Sequence, residues 1–349
     1  MSFADKLIAW YRQHGRHDLP WQGHNTPYPI WVSEIMLQQT QVATVIPYFN
    51  QFIRRFPNIQ NLAGAELDRV LHHWSGLGYY ARARNLHRTA KIIADQYCGK
   101  FPEEIDELIA LPGIGKSTAG AILAQSLGQR HPILDGNVKR VLSRYYRIDG
   151  WPGQRETEKK LWQLSDENTP SRNVADYTQA IMDLGATVCV RQKAACRQCP
   201  LQGTCLSFLN NEVSIYPQKR PKKTLPVKET TFLLVRNKQG EIYLTQRPPS
   251  GIWGGLWCLP ELQPETETSG TEWHMKNFSV DIETEQPLPV VRHTFSHYHL
   301  DFTVIPATVK GNHQAEIGET APAIWYNPAK PAELGLAAPI KKIIHNTEV

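Results

Sequence analysis

The sequence predicts a multidomain protein: an all-α region over residues 1–209, a basic proline-rich linker over 210–228 and an α+β domain over 229–349. Three observations carry this. Its 349 residues suffice for two domains with separate cores. From Phe3 to about Leu209 short stretches of helical periodicity alternate with Pro and Gly breaks, with few β-rich runs. Pro217 to Lys228 then holds five basic residues, three prolines and no acid, an extended and solvated composition, and β-type sequence follows it.

Each element has a local reason. Met1 to Gln13 reads as an amphipathic helix; without a basic leader, a long apolar core or a cleavage site it is no signal peptide. Apolar residues at Ile30, Trp31, Ile35, Leu37, Val42 and Val45 predict helix through Ile30 to Phe56, interrupted at Pro47. Leu67 to Trp74, Ala81 to Tyr97 and Val138 to Tyr146 continue the helical style. In the second region Thr230 to Val235 and Glu241 to Gln246 flank a turn closed by Gly240, a hairpin signature, and Val290 to Pro306 supplies further strand. Pro264 to Thr271 is polar and reads as a mobile loop. No stretch is long and apolar enough to span a bilayer, so a soluble protein with no membrane partner is expected.

Charge divides the chain as the patterning does. Residues 1–228 carry 29 Lys and Arg against 19 Asp and Glu, net +10, whereas residues 229–349 carry 9 against 14, net −5. A basic first region suits a polyanion such as nucleic acid, through release of condensed counterions.

Two motifs carry chemistry. Cys189, Cys196, Cys199 and Cys205 place four thiols within the loop 189–205, where they can hold zinc or ligate an iron–sulfur cluster. Only Cys196 and Cys199 form a two-residue knuckle; the outer cysteines stand apart, which favours the cluster. Reduced thiols also point to an intracellular setting. Cys98 and Cys258 read as ordinary core residues. The second motif, Leu111-Pro112-Gly113-Ile114-Gly115-Lys116-Ser117, is a tight Gly-x-Gly turn entering a helix. Its glycines allow close backbone approach, and the N–H groups of the helix start face an anion, which a phosphodiester supplies. The Gly-x-x-x-x-Gly-Lys spacing of a nucleotide-binding P-loop is absent.

The turn followed by Cys-x6-Cys-x2-Cys-x5-Cys resembles the helix-hairpin-helix DNA glycosylases of the endonuclease III type. Within them, Trp31-Val32-Ser33-Glu34-Ile35-Met36-Leu37-Gln38-Gln39-Thr40-Gln41-Val42 and Gly76-Leu77-Gly78-Tyr79-Tyr80-Ala81-Arg82-Ala83-Arg84-Asn85-Leu86 look like signatures of the MutY-type adenine DNA glycosylases. The resemblance implies one 4Fe-4S cluster on the four cysteines. It also implies a double-stranded DNA substrate carrying adenine mispaired with 8-oxoguanine or guanine. Glu34 would protonate the adenine, and Asp135, in Leu134-Asp135-Gly136-Asn137-Val138-Lys139-Arg140, would stabilise positive charge on the sugar. Asp135 also suits a helix N-cap. Bifunctional members place an attacking lysine where this chain has Ser117, so a monofunctional enzyme using water is expected. Gln39 and Tyr79 match the residues that wedge the base stack, Trp21 the wall of the base pocket, and Gly113, Gly115, Lys116, Asn137 and Lys139 the DNA contacts. Thr245 to Trp257 resembles the family's Nudix-like recognition domain, and Phe295-Ser296-His297 its 8-oxoguanine-reading loop; no Arg-Glu-x-x-Glu-Glu magnesium run lies between Leu259 and Val290. A monomer is implied, cytoplasmic, nucleoid-associated and bacterial.

Overall fold

A computed structural model of the chain describes residues 1–23, 26–220, 224–262, 282–310 and 322–346. The polar stretch 264–271 lies outside them. The chain divides into two compact units, and the division is not a single cut. One unit comprises Met1–Gly64 and Asn85–Lys222, the other Ala65–Arg84 and Lys223–Val349.

The first unit is helical. Its N-terminal helix α1 (Phe3–His14) begins in a capping box, where Ser2 accepts from the Asp5 N–H and Asp5 accepts from the Ser2 N–H. Its apolar face, with Leu7, Trp10 and Tyr11, enters a core shared with Val138, Leu142, Tyr177 and Ile181. Then come α2 (Pro27–Leu37), α3 (Val42–Arg55) and α4 (Ile59–Ala63).

The expected interruption at Pro47 is displaced. Pro47 lies inside α3, which buried Val45, Phe49 and Phe52 hold against the core. The break falls earlier, between Leu37 and Val42, where Gln39 adopts a left-handed backbone (φ 59°) that a helix cannot continue. Burial of three large side chains outweighs the roughly 3 kcal/mol that an interior proline costs.

After α5 (Leu67–Trp74), which belongs to the second unit, come α6 (Ala81–Gln96), α7 (Ile105–Ala110) and α8 (Lys116–Leu127). The predicted bounds of α5 hold. The helices α9 (Gly136–Tyr145), α10 (Arg155–Asn168) and α11 (Val174–Asp183) complete the core, and a π-helical turn, Leu184–Val188, leads from α11 into the cysteine loop. After α12 (Leu206–Leu209), residues 210–218 still pack on this unit: Tyr216 is buried, its hydroxyl donates to Asp149 at 2.8 Å, and Gln218 donates to the same carboxylate. Cys98 corrects an expectation. It is exposed, with φ 51°, because it follows the end of α6 in a turn, whereas Cys258 is buried.

Among the described residues the second unit is built on a mixed eight-stranded sheet. Its strands are β1 (Val227–Arg236), β2 (Ile242–Gln246), β3 (Trp257–Cys258), β4 (Glu261–Leu262), β5 (Ile282–Thr284), β6 (Val291–Thr294), β7 (His299–Val309) and β8 (Ala323–Tyr326), and α13 (Ala338–Asn346) closes the chain. The main path runs β3-β2-β1-β7-β5, with β4 on β1, β6 on β7 and β8 on β2. β1 and β7 pair in parallel over ten residues, from Val227 opposite His299 to Arg236 opposite Thr308. Phe232, Leu233, Leu234 and Val235 are all buried, so both faces of β1 are covered. Gly240, at φ 78°, closes the expected β1–β2 hairpin. Among the described residues no helix is long and apolar enough to cross a membrane.

Candidate active site

Helices α2, α8, α9 and α11 surround a cavity of about 770 Å³ in the first unit. Trp21, Glu34, Gln39, Ser117, Asp135 and Asn137, spread over more than a hundred residues of sequence, all line it. Each is put there by a local device. The left-handed Gln39 turns the chain out of α2 just beyond Glu34. Asp135 caps α9, accepting from the Val138 N–H at 2.7 Å and from the Asn137 amide at 3.1 Å. The approach of the π-helical turn to α9 is close enough that a Cβ on Gly185 would lie 2.6 Å from that of Asn137. π-turns commonly mark functional sites.

The two carboxyls differ. Burial pushes Glu34 up to about 7, the Asp135 charge adds to this, and a hydrogen bond from Gln125 at 3.4 Å opposes it. Near neutral pH Glu34 can therefore carry a proton and give it up. Asp135 is also raised by burial, but its Val138 and Asn137 donors stabilise the anion. One cavity thus holds a carboxyl able to exchange a proton near neutral pH and a second carboxyl whose anionic form is hydrogen-bonded.

Trp21 is 3% exposed and packs edge-on against Phe49 at 5.4 Å between ring centres, so it is both core and cavity wall. Ser117 accepts a hydrogen bond from the Leu134 N–H at 3.0 Å, tying α8 to the chain before Asp135. Gly113 takes φ 82° in the turn before α8, and Gly115 caps that helix without a side-chain acceptor, leaving open space where a Cβ would be. Lys116 lies over the Trp162 ring at 4.5 Å, and Lys139 pairs with Glu158 at 2.6 Å. Sequence reasoning missed Arg16 and Gln179, which line the same cavity. Both are held by the fully buried Asp183: Arg16 donates at 2.6 Å and Gln179 at 2.8 Å. The pair is separated by most of the unit's length and leaves no contiguous motif.

Tyr79 and the Phe295 loop lie in the second unit. Tyr79 is half exposed with φ 49°. Phe295-Ser296-His297 form the tip of the β6–β7 hairpin, where the Phe295 ring stacks on Tyr298 at 4.7 Å and Ser296 pairs with His297 Nδ1 at 3.3 Å.

Cys189, Cys196, Cys199 and Cys205 face one cavity, otherwise lined mainly by apolar groups such as Val141, Leu184, Val188 and Phe208. Burial raises the thiols of Cys196, Cys199 and Cys205, that of Cys199 to about 12. Among the described residues no three His, Cys, Asp or Glu side chains converge tightly enough to hold a single ion. Four thiols around a shared, largely apolar space are a donor set that the all-cysteine ligation of an iron–sulfur cluster fits. Arg144 donates to Cys189 Sγ at 3.4 Å, and Arg140 joins the Cys189 carbonyl at 2.7 Å to Asn137 Oδ1 at 2.8 Å.

Comparison with known proteins adds the family. Residues 32–167 match the HhH-GPD superfamily base excision DNA repair proteins, and residues 231–346 match the NUDIX domain. The adenine DNA glycosylase of Buchnera aphidicola subsp. Acyrthosiphon pisum is 42% identical over 99% of this chain and 97% of its own length. This chain belongs to the adenine DNA glycosylase family. The Rattus norvegicus member is 33% identical, over 98% of this chain and 77% of its own. Among solved structures, a thermostable thymine-DNA glycosylase superposes with a TM-score of 0.55 at 24% identity, covering 60% of this chain and 95% of that one. An endonuclease III–DNA complex gives 0.51 at 19%, covering 60% and 94%. At these identities the likeness is one of fold. The protein is a DNA glycosylase, a hydrolase of N-glycosyl bonds.

Proposed function

We propose that this protein is a monofunctional adenine DNA glycosylase that flips out adenine mispaired with 8-oxoguanine or guanine and hydrolyses its N-glycosidic bond. The observation that carries this is the pairing of Glu34, which accepts one hydrogen bond from Gln125, with Asp135, which accepts from Val138 and Asn137, on one cavity large enough for an extruded base. Glu34 donates its proton to adenine N7, making the base a better leaving group. Asp135 faces the oxocarbenium-like sugar, where a fixed carboxylate in a partly dry site stabilises the charge without reorganising. Water then attacks the anomeric carbon, giving an abasic site. Ser117 supplies no amine there, and its hydroxyl is engaged by Leu134.

Trp21 walls the base pocket, and Gln39 and Tyr79 fill the stack that the base leaves. Gly113, Gly115, Lys116 and Asn137 receive the phosphate backbone, with the α8 N-terminus supplying N–H donors; Lys139 reaches DNA only by leaving Glu158. Phe295, Ser296 and His297 read the base opposite adenine. Cys189, Cys196, Cys199 and Cys205 hold a 4Fe-4S cluster, which when bound cross-links and orders the loop 189–205 beside α9. We divide the roles as catalysis in 1–209, a connection over 210–228 and opposite-base recognition in 229–349.

Single-turnover release of adenine from an A:8-oxoguanine duplex tests the reading. Glu34→Gln is expected to lose release by about 10²-fold or more while still binding the mismatch. A fully active Glu34→Gln refutes the acid role. Efficient covalent capture by borohydride refutes the monofunctional mechanism.

A further inference from the structure

Tyr79 does not sit in the unit that contains the cavity. Its segment, Ala65–Arg84, packs with the C-terminal chain, and hydrogen bonds and close packing hold it there along its length. At the start of α5, Asp68 accepts from Trp257 Nε1 at 3.1 Å and from Gln246 Nε2 at 3.3 Å, donors on β3 and β2. Further along, the approach to the 334–336 run is so close that a Cβ on Gly335 would lie 2.5 Å from that of Leu71. Next to Tyr79, the Tyr80 hydroxyl donates to the Leu336 carbonyl at 3.5 Å, and Arg84 donates to the carbonyl of Gly254. Leu336 is itself bridged to Trp257. The loop between is stiffened from within: Arg82 donates to the carbonyls of Leu77 and Gly78 at 3.2 Å and lies over both the Trp74 and Tyr79 rings at 5.4 Å. The outcome is a half-exposed aromatic on a left-handed backbone, a conformation that persists only when its surroundings impose it.

Asp68 is the hub of these contacts, since one half-buried carboxylate joins α5 to two strands, and hydrogen bonds to a charged acceptor are the strong kind. We propose that Asp68 is a positioning residue for Tyr79: clasped by Trp257 and Gln246, it fixes Ala65–Arg84 on the C-terminal sheet, so that Tyr79 insertion and opposite-base reading are made by one body. This rests on the reading of Tyr79 as a stack-filling residue. A glycosylase built this way couples its wedge to the unit that inspects the opposite base, although the wedge lies in sequence among the catalytic helices.

The test uses the full chain and a duplex carrying 2-aminopurine beside 8-oxoguanine, with a 2′-fluoro adenosine opposite so that binding proceeds without cleavage. Insertion of a side chain unstacks the reporter and raises its fluorescence. Wild-type protein is expected to give the rise and Tyr79→Ala to lose it. Trp257→Phe keeps an aromatic ring in place and removes the Nε1–H together with the five-membered part of the indole; this variant and Asp68→Ala are each expected to reduce the inserted population roughly tenfold, the scale of one charge-assisted hydrogen bond. In a Tyr79→Ala background, Asp68→Ala should cost no further DNA affinity, whereas a merely structural role would make the losses additive. A wild-type signal from both variants, or additive losses, overturns the proposal and leaves the wedge reading standing. A full signal from Tyr79→Ala removes both. If Asp68→Ala fails to fold by circular dichroism, Trp257→Phe decides alone.

Discussion

Replacing Glu34 by Gln should stabilise the protein, and increasingly so as pH rises. The Glu34 carboxyl, ordinarily at 4.5, is raised to about 7 by burial and by the Asp135 charge, with the Gln125 hydrogen bond opposing. A group whose folded value exceeds its unfolded value contributes stability that is fully present below the unfolded value and is lost as pH climbs through the folded one. The window therefore runs from about pH 4.5 to about 7. At about 1.4 kcal/mol for each tenfold change in proton affinity, this rise corresponds to about 3–4 kcal/mol. Water in the cavity screens part of this, so about 2 kcal/mol is the working figure. Glutamine has the same shape and no charge to desolvate. Thermal unfolding of both proteins at pH 5 and pH 8.5 should show the Gln variant gaining roughly 4–8 °C over wild type across that interval. Parallel profiles would refute the argument that Glu34 is held protonated by its burial.

Three further outcomes follow from the same geometry. The single-turnover excision rate should fall roughly tenfold between pH 7.5 and 8.5 as Glu34 loses its proton, and a flat profile there would remove it as the acid. Asp135→Asn keeps a good N-cap for the Val138 N–H but no charge, so adenine release should drop by about 10²–10³ with the helix intact by circular dichroism. Cys199→Ser should lower bound iron and sulfide and weaken the visible absorption band in the purified protein; unchanged metal content would exclude Cys199 as a ligand.

Much of this molecule was legible because its signals are local. Leu67–Trp74 carries helical periodicity between breakers, and Arg236 to Ile242 carries a turn with glycine at its end; both form as their patterns require. Glu34, Ser117, Asp135 and Asn137 were each marked by a short run, and the fold brings the runs to one cavity. What escaped depends on partners distant in the chain. Pro47 is tolerated because Val45, Phe49 and Phe52 are buried around it, which a breaker rule does not weigh. Arg16 and Gln179 reach the cavity through Asp183, 167 residues from Arg16. The same holds for Asp68, whose pattern is that of an ordinary first-turn acid until Trp257 and Gln246 arrive from the far end of the chain.

The discontinuous second unit also sets an order of events during synthesis. Residues 1–64 and 85–222 emerge before the C-terminal sheet exists, and Ala65–Arg84 emerges between them with its partners unmade. Some 250 residues separate Arg84 from the Leu336 region, so at ribosomal rates the segment waits roughly 10–50 s for its surface. During that interval Leu71, fully buried in the finished protein, lacks the Gly335 backbone that packs against it. The nascent chain is therefore most vulnerable to chaperone capture or proteolysis around residues 65–84, and the setting of Tyr79 is among the last parts to be completed.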